Sequence, residues 1–240
     1  VTVTFTTPSN GVGELLKAAT AAGASQTAQI VPGVYYTPFD TTSGGVAFHP
    51  LGNGTTTVDV TIPGYIHTSQ ATRTITASQP SITVNPLIVG SGLQANTNFT
   101  LGASNHGGVT VTLTSADPAI LLSPNATTAG TSSIQFPVAN GTQTVGFYVQ
   151  ALEGRINDTV VATVTASASG FSNGTALMSA VPGAYDLQGL PTTTTTLSPS
   201  NNVYARLGIG NASNLTQLQN LRAGGPGPLT ATFTSPATGV

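Results

Sequence analysis

The chain of 240 residues contains no cysteine and no tryptophan, and only 5% of its residues carry a charge. The absence of cysteine excludes disulfides, thiolate nucleophiles and cysteine-ligated zinc sites together. An average soluble domain has about 25% charged residues, so other polar groups must make the surface of this protein hydrophilic. The formal net charge of −2 gives no electrostatic reason to bind nucleic acid or anionic lipid, and no apolar run reaches the length of a membrane span.

Hydroxyl groups take the place of the missing charges, because the chain has 42 threonines and 20 serines. Threonine and valine favour pleated strands, while the 28 glycines and 16 prolines mark the turns between strands. In VTVTLTS (109–115) apolar residues alternate with threonines, which is the period of a half-buried strand and argues against disorder. The sequence therefore predicts an all-β protein with rows of threonine on its solvated faces.

Three copies of one phrase mark an internal repeat: VTVTFTT (1–7), TVTLTS (110–115) and TATFTS (230–235). Gly64-Tyr65 also matches Gly170-Phe171, and Leu15-Leu16 matches Leu121-Leu122, both at an offset of 106 residues. Together the matches give a period of 106–120 residues, which suits a β-sandwich domain.

The most complete copy covers residues 81–184 and contains seven short runs bounded by turn residues, as a sandwich requires. The predicted strands are SITV (81–84), NFTLGA (98–103), VTVTLTS (109–115), SIQFPV (133–138), TVGFYVQ (144–150), TVVATVTAS (159–167) and TALMSAV (175–181).

One stretch of the first copy is ambiguous. ELLKAATAAG (14–23) has the composition of a helix, with glutamate early and glycine last. Its counterpart ILLSPNATTAG (120–130) carries Pro124 inside the same stretch, and proline costs a helix interior about 3 kcal/mol. Because equivalent stretches of a repeat should share a conformation, we predict a strand at residues 14–16 followed by a loop.

The two ends of the chain hold partial copies. Residues 1–80 contain everything from VTVTFTT onward and lack the two strands that precede this phrase in the complete copy. Residues 185–240 contain those first strands and then LTATFTS, with PTTTTTLSP (191–199) as an extended connector or an edge strand. The predicted fold is a tandem of sandwiches, one complete and two partial, which complete each other between neighbouring units.

The stretches HGGVTVTLTSADPAILLSPNATTAG, GTQTVGFYVQALEG and TVTASASGFSNGTALMSAV resemble the bacterial immunoglobulin-like repeats, of the Big or invasin type, of very large surface and secreted proteins. GGVAFHPLGNGTTTVDVTIPGY (44–65) resembles the alternate repeat type of the same chains. The resemblance covers nearly the whole sequence and implies immunoglobulin-like sandwiches in an extracellular stalk, adhesin shaft or fibre at the cell surface. Its motifs are structural, so it implies no catalytic residue. The low charge and the number of sequons depart from it.

No set of residues predicts catalysis, a cofactor or a metal. The three histidines do not have a metal-ligand spacing, no G-x-S-x-G elbow is present, and the seven carboxylates are scattered singly. Glu153 and Asp158 are the only local acidic pair, and Arg155 between them favours a turn salt bridge over a calcium site. We expect that the protein is not an enzyme.

Eight Asn-X-Ser/Thr sequons are candidates for N-linked glycans, against about four that the composition gives by chance. The alternative is that threonine-rich turns create these sequons by accident and that they carry no sugar. The candidate asparagines are Asn53, Asn98, Asn125, Asn140, Asn157, Asn173, Asn211 and Asn214.

The partial copies predict a structural role. A sandwich without its first strands exposes unpaired backbone groups and an apolar groove. Either the polypeptide continues beyond residues 1 and 240 and supplies the strands as flanking repeats, or the 185–240 segment of another copy supplies them and builds a head-to-tail filament, sheath or surface array. The candidate interface residues are Val1, Val3, Phe5, Leu187, Leu190, Leu197, Tyr204, Leu207, Ala231 and Phe233.

An adhesin or carbohydrate-binding module is the alternative function. Tyr35-Tyr36 in GVYYTPF is the one local aromatic cluster, and one of its two side chains faces outward if residues 34–38 form a strand.

Overall fold

The computed structural model describes residues 1–18, 21–155 and 157–234. All secondary-structure elements in this part of the chain are β-strands, which confirms the predicted all-β class. The chain divides into two compact units, residues 1–79 and residues 80–240.

The first unit has six strands. They are β1 (Thr2–Thr6), β2 (Gly13–Leu16), β3 (Ser25–Gln29), β4 (Ala47–Pro50), β5 (Gly54–Thr61) and β6 (Thr72–Ala77). Four of them form an antiparallel sheet in the order β3-β1-β5-β6, and β2 pairs with β4. Val3 and Leu15 are buried between these sheets. β2 confirms the strand predicted for residues 14–16; residues 19 and 20 of the loop after it lie outside the described residues.

Nine strands build the body of the second unit. They are β7 (Ile82–Val84), β8 (Leu87–Gly90), β9 (Leu93–Leu101), β10 (Val109–Ser115), β11 (Ile120–Ser123), β12 (Ser133–Val138), β13 (Thr144–Ala151), β14 (Val160–Ser167) and β15 (Gly174–Val181). One sheet has the order β12-β10-β14-β15-β8; in the other, β13 lies between β11 and β9, and β7 also pairs with β9. The apolar sides of both sheets share one core, in which Phe99 and Phe147 are the largest side chains. Alternation decides which residues enter it: Val111 and Leu113 are fully buried, while the threonines between and beside them are not.

All seven strands predicted for this copy are present, and two further strands, β8 and β11, were missed. β8 is a short apolar run without alternation, so it gave no periodic signal. β9 begins at Leu93, five residues before the predicted start. The sequence pattern did not indicate this first part of the strand, because the buried residue there, Gln94, is polar. Its amide donates to the Ala126 carbonyl (2.7 Å) and accepts from the Gln150 amide (2.9 Å), which satisfies it there.

Four strands follow in the second half of this unit: β16 (Ala184–Gln188), β17 (Tyr204–Gly210), β18 (Leu215–Leu218) and β19 (Asn220–Leu221). The first three form a sheet in the order β16-β17-β18. The connection from β16 to β17, which contains PTTTTTLSP, has no strand, so it is the connector and not the edge strand of the two alternatives. Residues 229–234 of LTATFTS, which repeat the sequence of β1, form no strand and pair with none of the described strands; Ser235 lies outside the described residues.

The segment 184–223 is anchored on the body of its own unit. β19 pairs with the start of β9, and Leu207 and Leu221 pack against the core. The buried Gln219 amide accepts from the Gly90 N–H and donates to the Ile88 carbonyl, both at 2.8 Å, and so caps the outer side of β8. Arg222 completes the anchor with two hydrogen bonds to Glu153, at 2.6 and 2.7 Å.

Acid is expected to loosen this anchor. The Arg222 guanidinium holds the pKa of Glu153 below its usual range. A carboxyl pKa that is lowered by folding contributes stability that is complete above the unfolded value, about 4.3, and is lost as the pH falls through the folded value. Hydrogen exchange, corrected for intrinsic rates, should therefore show less protection of the Arg222 N–H, which donates to the Gly92 carbonyl (3.0 Å), at pH 3 than at pH 6.

The matched control for the acid experiment is Glu153→Gln, which removes the titrating group. This variant should show the weaker protection at both pH values. Equal protection of the unsubstituted chain at pH 3 and pH 6 would show that the ion pair does not hold the segment.

Candidate functional site

The first unit repeats the sheets of the second, strand for strand, over most of its length. Its sheet β3-β1-β5-β6 corresponds to β12-β10-β14-β15, and its pair β2-β4 corresponds to β11-β13. The registers agree as well: Phe5 faces Val60 as Leu113 faces Ala166. Gly64 and Gly170 both have positive φ, 83° and 81°, ahead of the matched aromatic residue.

One alignment from the sequence was off by a residue. Leu15 exchanges backbone hydrogen bonds with Gly23 as Leu122 does with Thr131, so Leu15 corresponds to Leu122 and not to Leu121. The local sequences offer two leucines in a row, and only the pairing across the loop distinguishes them.

Three of the nine strands in the body of the second unit have no counterpart among the described residues of the first. β8 pairs in parallel with the edge of β15, β9 pairs with β13, and β7 pairs with β9. Among residues 1–18 and 21–79, no strand occupies the corresponding places beside β6 and β4. Both strands therefore present an edge without a ladder partner, which is a ready template for another strand.

The inward side of the first unit is correspondingly less covered. Met178 and Val164 are fully buried in the second unit, whereas their register equivalents Ile75 and Val58 are only half-buried. Phe48, the equivalent of the fully buried Val149, is half-buried as well. The first unit therefore has apolar side chains at these positions but lacks the equivalents of β7, β8 and β9, which would cover them.

The matched aromatic pair shows the difference most clearly. Phe171 is 6% exposed because β7 begins beside it, where the Ser172 N–H donates to the Pro80 carbonyl (2.9 Å). Its equivalent Tyr65 is 68% exposed and lines a hollow with Val60, Ile62 and Ile66. We call the outer edges of β4 and β6, together with this hollow, the acceptor site.

The β16-β17 pair has the register of the β7-β9 pair. Tyr185 faces Leu207 as Ile82 faces Leu101, so Leu187 takes the place of Val84. Ile82 and Val84 are buried in the core, but Tyr185 is 80% exposed and Leu187 is 50% exposed. We call β16 and β17 the donor pair, because the β16 half of its apolar side is formed but uncovered.

The opposite side of the donor pair is held by charge. The Arg206 guanidinium donates to both carboxylate oxygens of Asp186 on the neighbouring strand, and this contact lowers the pKa of Asp186. A cross-strand ion pair of this kind fixes the register of a short hairpin.

The structure distributes the predicted interface residues over covered and exposed positions. Val3 is buried inside the first unit, Phe5 is half-buried there, and Leu207 is half-buried against the core of the second unit. The exposed members are Val1, Leu187, Leu190, Leu197, Tyr204, Ala231 and Phe233. Sequence reasoning missed Tyr65 and Tyr185, although alignment of Tyr185 with Ile82 could have identified the second.

Seven of the eight sequon asparagines are exposed, namely Asn53, Asn125, Asn140, Asn157, Asn173, Asn211 and Asn214. Asn98 differs, because it is half-buried within β9 and its carbonyl oxygen accepts from the Asn85 amide at 3.0 Å. Exposure makes the seven accessible to a glycosylating enzyme and makes Asn98 a poorer substrate.

The acidic pair at residues 153 and 158 does not act as one group. Arg155 binds Asp158 (2.8 Å), as the turn salt bridge requires, but Glu153 binds Arg222 instead. Within residues 1–18, 21–155 and 157–234, no three His, Asp or Glu side chains are placed to hold a metal ion. The same residues include no helix that is long and apolar enough to cross a membrane.

Comparison of the chain with protein-family models gives no match, and no curated protein matches it.

Proposed function

We propose that this protein is a structural subunit or repeat segment of an extracellular filament, sheath or surface array, in which neighbouring units complete each other's β-structure. The units are immunoglobulin-like sandwiches, and the donor pair of one unit fills the acceptor site of the next. The observation that carries the proposal is the correspondence of the first unit with the body of the second, which matches in every strand except β7, β8 and β9.

A longer sequence match supports this choice of donor. LTATFTSPATGV (229–240) and VTVTFTTPSNGV (1–12) share seven identical residues: Thr230, Thr232, Phe233, Thr234, Pro236, Gly239 and Val240 repeat Thr2, Thr4, Phe5, Thr6, Pro8, Gly11 and Val12. Residues 184–228 therefore stand directly before a β1-like sequence. The strands that complete a unit of the first type are of the 184–228 type.

Strand addition gives a durable contact. Each added strand supplies ladder hydrogen bonds to an open edge and buries apolar side chains at roughly 25 cal/mol per Å². Donor pair and acceptor site are different surfaces, so the contact is head-to-tail, and it propagates into an open filament when its rotation does not close a ring. A hydroxyl-coated surface with 5% charged residues and eight sequons agrees with a place outside the cell.

The test of this proposal is polymerisation of the chain with a disrupted donor pair. The unsubstituted chain should sediment as filaments visible by negative-stain electron microscopy. Tyr185→Ser with Leu187→Ser should remain monomeric, because two hydroxyls replace the apolar groups that enter the acceptor site. Leu177→Ser, a change at an exposed leucine of β15 that belongs to neither the donor pair nor the acceptor site, should polymerise normally.

Polymerisation of the double variant to the same extent as the unsubstituted chain would exclude the donor pair as the contact. Mass measurement of native material after denaturation then separates the two sources of the strand. A mass near 23.9 kDa plus sugars indicates separate subunits, and a mass many times larger indicates flanking repeats of one polypeptide.

A further inference from the structure

The first unit contains one loop that the repeat does not require. Residues 30–46 connect β3 to β4, whereas residues 139–143 make the equivalent connection between β12 and β13. The longer loop carries Tyr35, Tyr36 and Phe39, which we call the aromatic platform. Residues 34–38 do not form a strand, so the condition under which one tyrosine would face outward is not met; the stretch is irregular and both tyrosines are exposed.

The three rings form a continuous surface. Tyr35 and Tyr36 meet edge to face at a centroid distance of 5.1 Å, and Tyr36 stacks on Phe39 at 4.8 Å and 21°. Tyr35 is 91% exposed and Phe39 is 85% exposed. Each outer ring therefore offers a face to a ligand, although exposing large apolar groups is unfavourable for folding alone.

The loop is held in this shape by its own backbone. The Gly45 N–H donates to the Asp40 carbonyl (2.8 Å), and the Thr42 hydroxyl and Ser43 N–H both donate to Oδ1 of Asp40, at 2.6 and 2.7 Å. A side chain at residue 45 would lie 2.3 Å from the Pro38 carbonyl oxygen, so glycine permits the close return of the chain. Such preorganisation reduces the entropy that a ligand must offset.

We propose that the aromatic platform and Asp40 form a binding site for the neutral sugar rings of a glycan. One face of a pyranose consists of C–H groups, which carry partial positive charge and stack on the negative face of an aromatic ring. The hydroxyls at the rim of the sugar need acceptors, and the carboxylate of Asp40 is exposed beside Phe39, with the Thr42 hydroxyl and the Ser43 N–H both bound at Oδ1. The hydrogen bonds from Ser43 and Thr42 hold the pKa of Asp40 at about 2, so the carboxylate is ionised and a strong acceptor.

The charge of the loop selects against other ligands that stack on aromatic rings. Asp40 is the only charged residue between residues 30 and 46, and the loop contains no lysine or arginine. Single-stranded nucleic acids stack on such rings too, but they need cationic side chains along the phosphates. Acidic sugars would meet the Asp40 carboxylate without a compensating cation.

Binding is tested with soluble neutral oligosaccharides of glucose, mannose and galactose, four to six units long, and with the same set carrying terminal carboxylated sugars. The unsubstituted chain should bind at least one neutral probe. Tyr35→Ala with Phe39→Ala should weaken that binding at least tenfold, and Asp40→Asn should weaken it several-fold. Phe233→Ala, which removes an exposed aromatic ring outside the platform, should leave it unchanged.

A second arm distinguishes a foreign glycan from a glycan on another copy of this chain. Native material is immobilised before and after enzymatic deglycosylation, and the capture of soluble chain by the two forms is compared. If only the glycosylated form captures the chain, and does not capture the variant Tyr35→Ala with Phe39→Ala, the ligand is a glycan on a second copy. No binding of any neutral probe, a preference for the acidic probes, or an equal loss with Phe233→Ala overturns the proposal. Normal sugar binding with lost self-association in the double variant overturns it too, because the platform would then contact protein.

Discussion

A chain in which an added copy of residues 184–228 precedes residue 1 is expected to stay monomeric and to unfold at a higher temperature than the unmodified chain. The junction reproduces the sequence order found before residue 229, so the added donor pair reaches the acceptor site within its own molecule. A linked donor acts at a high effective concentration and outcompetes the donor pair of any other copy. The acceptor site is then filled, and the original donor pair has no partner to enter.

The thermal effect follows from burial. Covering about 200 Å² of apolar surface around Ile75, Val58 and Tyr65 is worth about 5 kcal/mol before ordering costs. Half of that amount raises the melting temperature of a unit of this size by roughly 10 °C. Calorimetry measures the shift, and light scattering with electron microscopy measures the state of assembly.

The control is the same fusion with Tyr185→Ser and Leu187→Ser in the added copy only. It should melt like the unmodified chain and should polymerise, because its acceptor site is open again. A fusion that forms filaments as readily as the unmodified chain would place the assembly contact outside the acceptor site.

Individual strands could be predicted from the sequence, because the alternation of apolar and polar residues is a local pattern. Strands such as VTVTLTS and SIQFPV agree with their predicted bounds to the residue, since the period of two marks both their faces and their ends. The strand at residues 14–16 needed the proline of its repeat partner, because its own residues favour a helix. In both cases a neighbour in sequence, or in the repeat, carried the information.

The features that the sequence did not predict depend on contacts between residues that are distant in the chain. Glu153 lies close to Arg155 in the chain but pairs with Arg222, and no spacing rule relates residues so far apart. Residues 229–234 have the pattern of a strand, yet a strand exists only beside another, and none of the described strands lies beside them. The acceptor site also depends on distant contacts. Comparison of the repeats indicated which strands the first unit lacks, but only the strand register identified Tyr65 and Ile75 as the residues that these strands would cover.

The cost of deleting equivalent core side chains should differ between the two units. Met178→Ala is expected to destabilise the second unit by about 2–5 kcal/mol, the usual range for a fully buried methionine. Ile75→Ala, at the register equivalent, should cost the first unit only about 1 kcal/mol, because the half-buried side chain removes less surface from water. Denaturant unfolding, followed for each unit by a fluorescent label, measures both.

The same pair becomes a test of completion when it is placed in the fusion chain. The cost of Ile75→Ala should rise there to about 2–4 kcal/mol, because an occupied acceptor site buries the isoleucine. The cost of Met178→Ala should stay the same, since the second unit is unchanged. Because Ile75→Ala removes the same atoms in the unmodified chain and in the fusion chain, the difference between the two costs measures how far the added donor pair buries Ile75. An unchanged cost for Ile75→Ala would mean that the added strands do not lie over β6, whatever their effect on assembly.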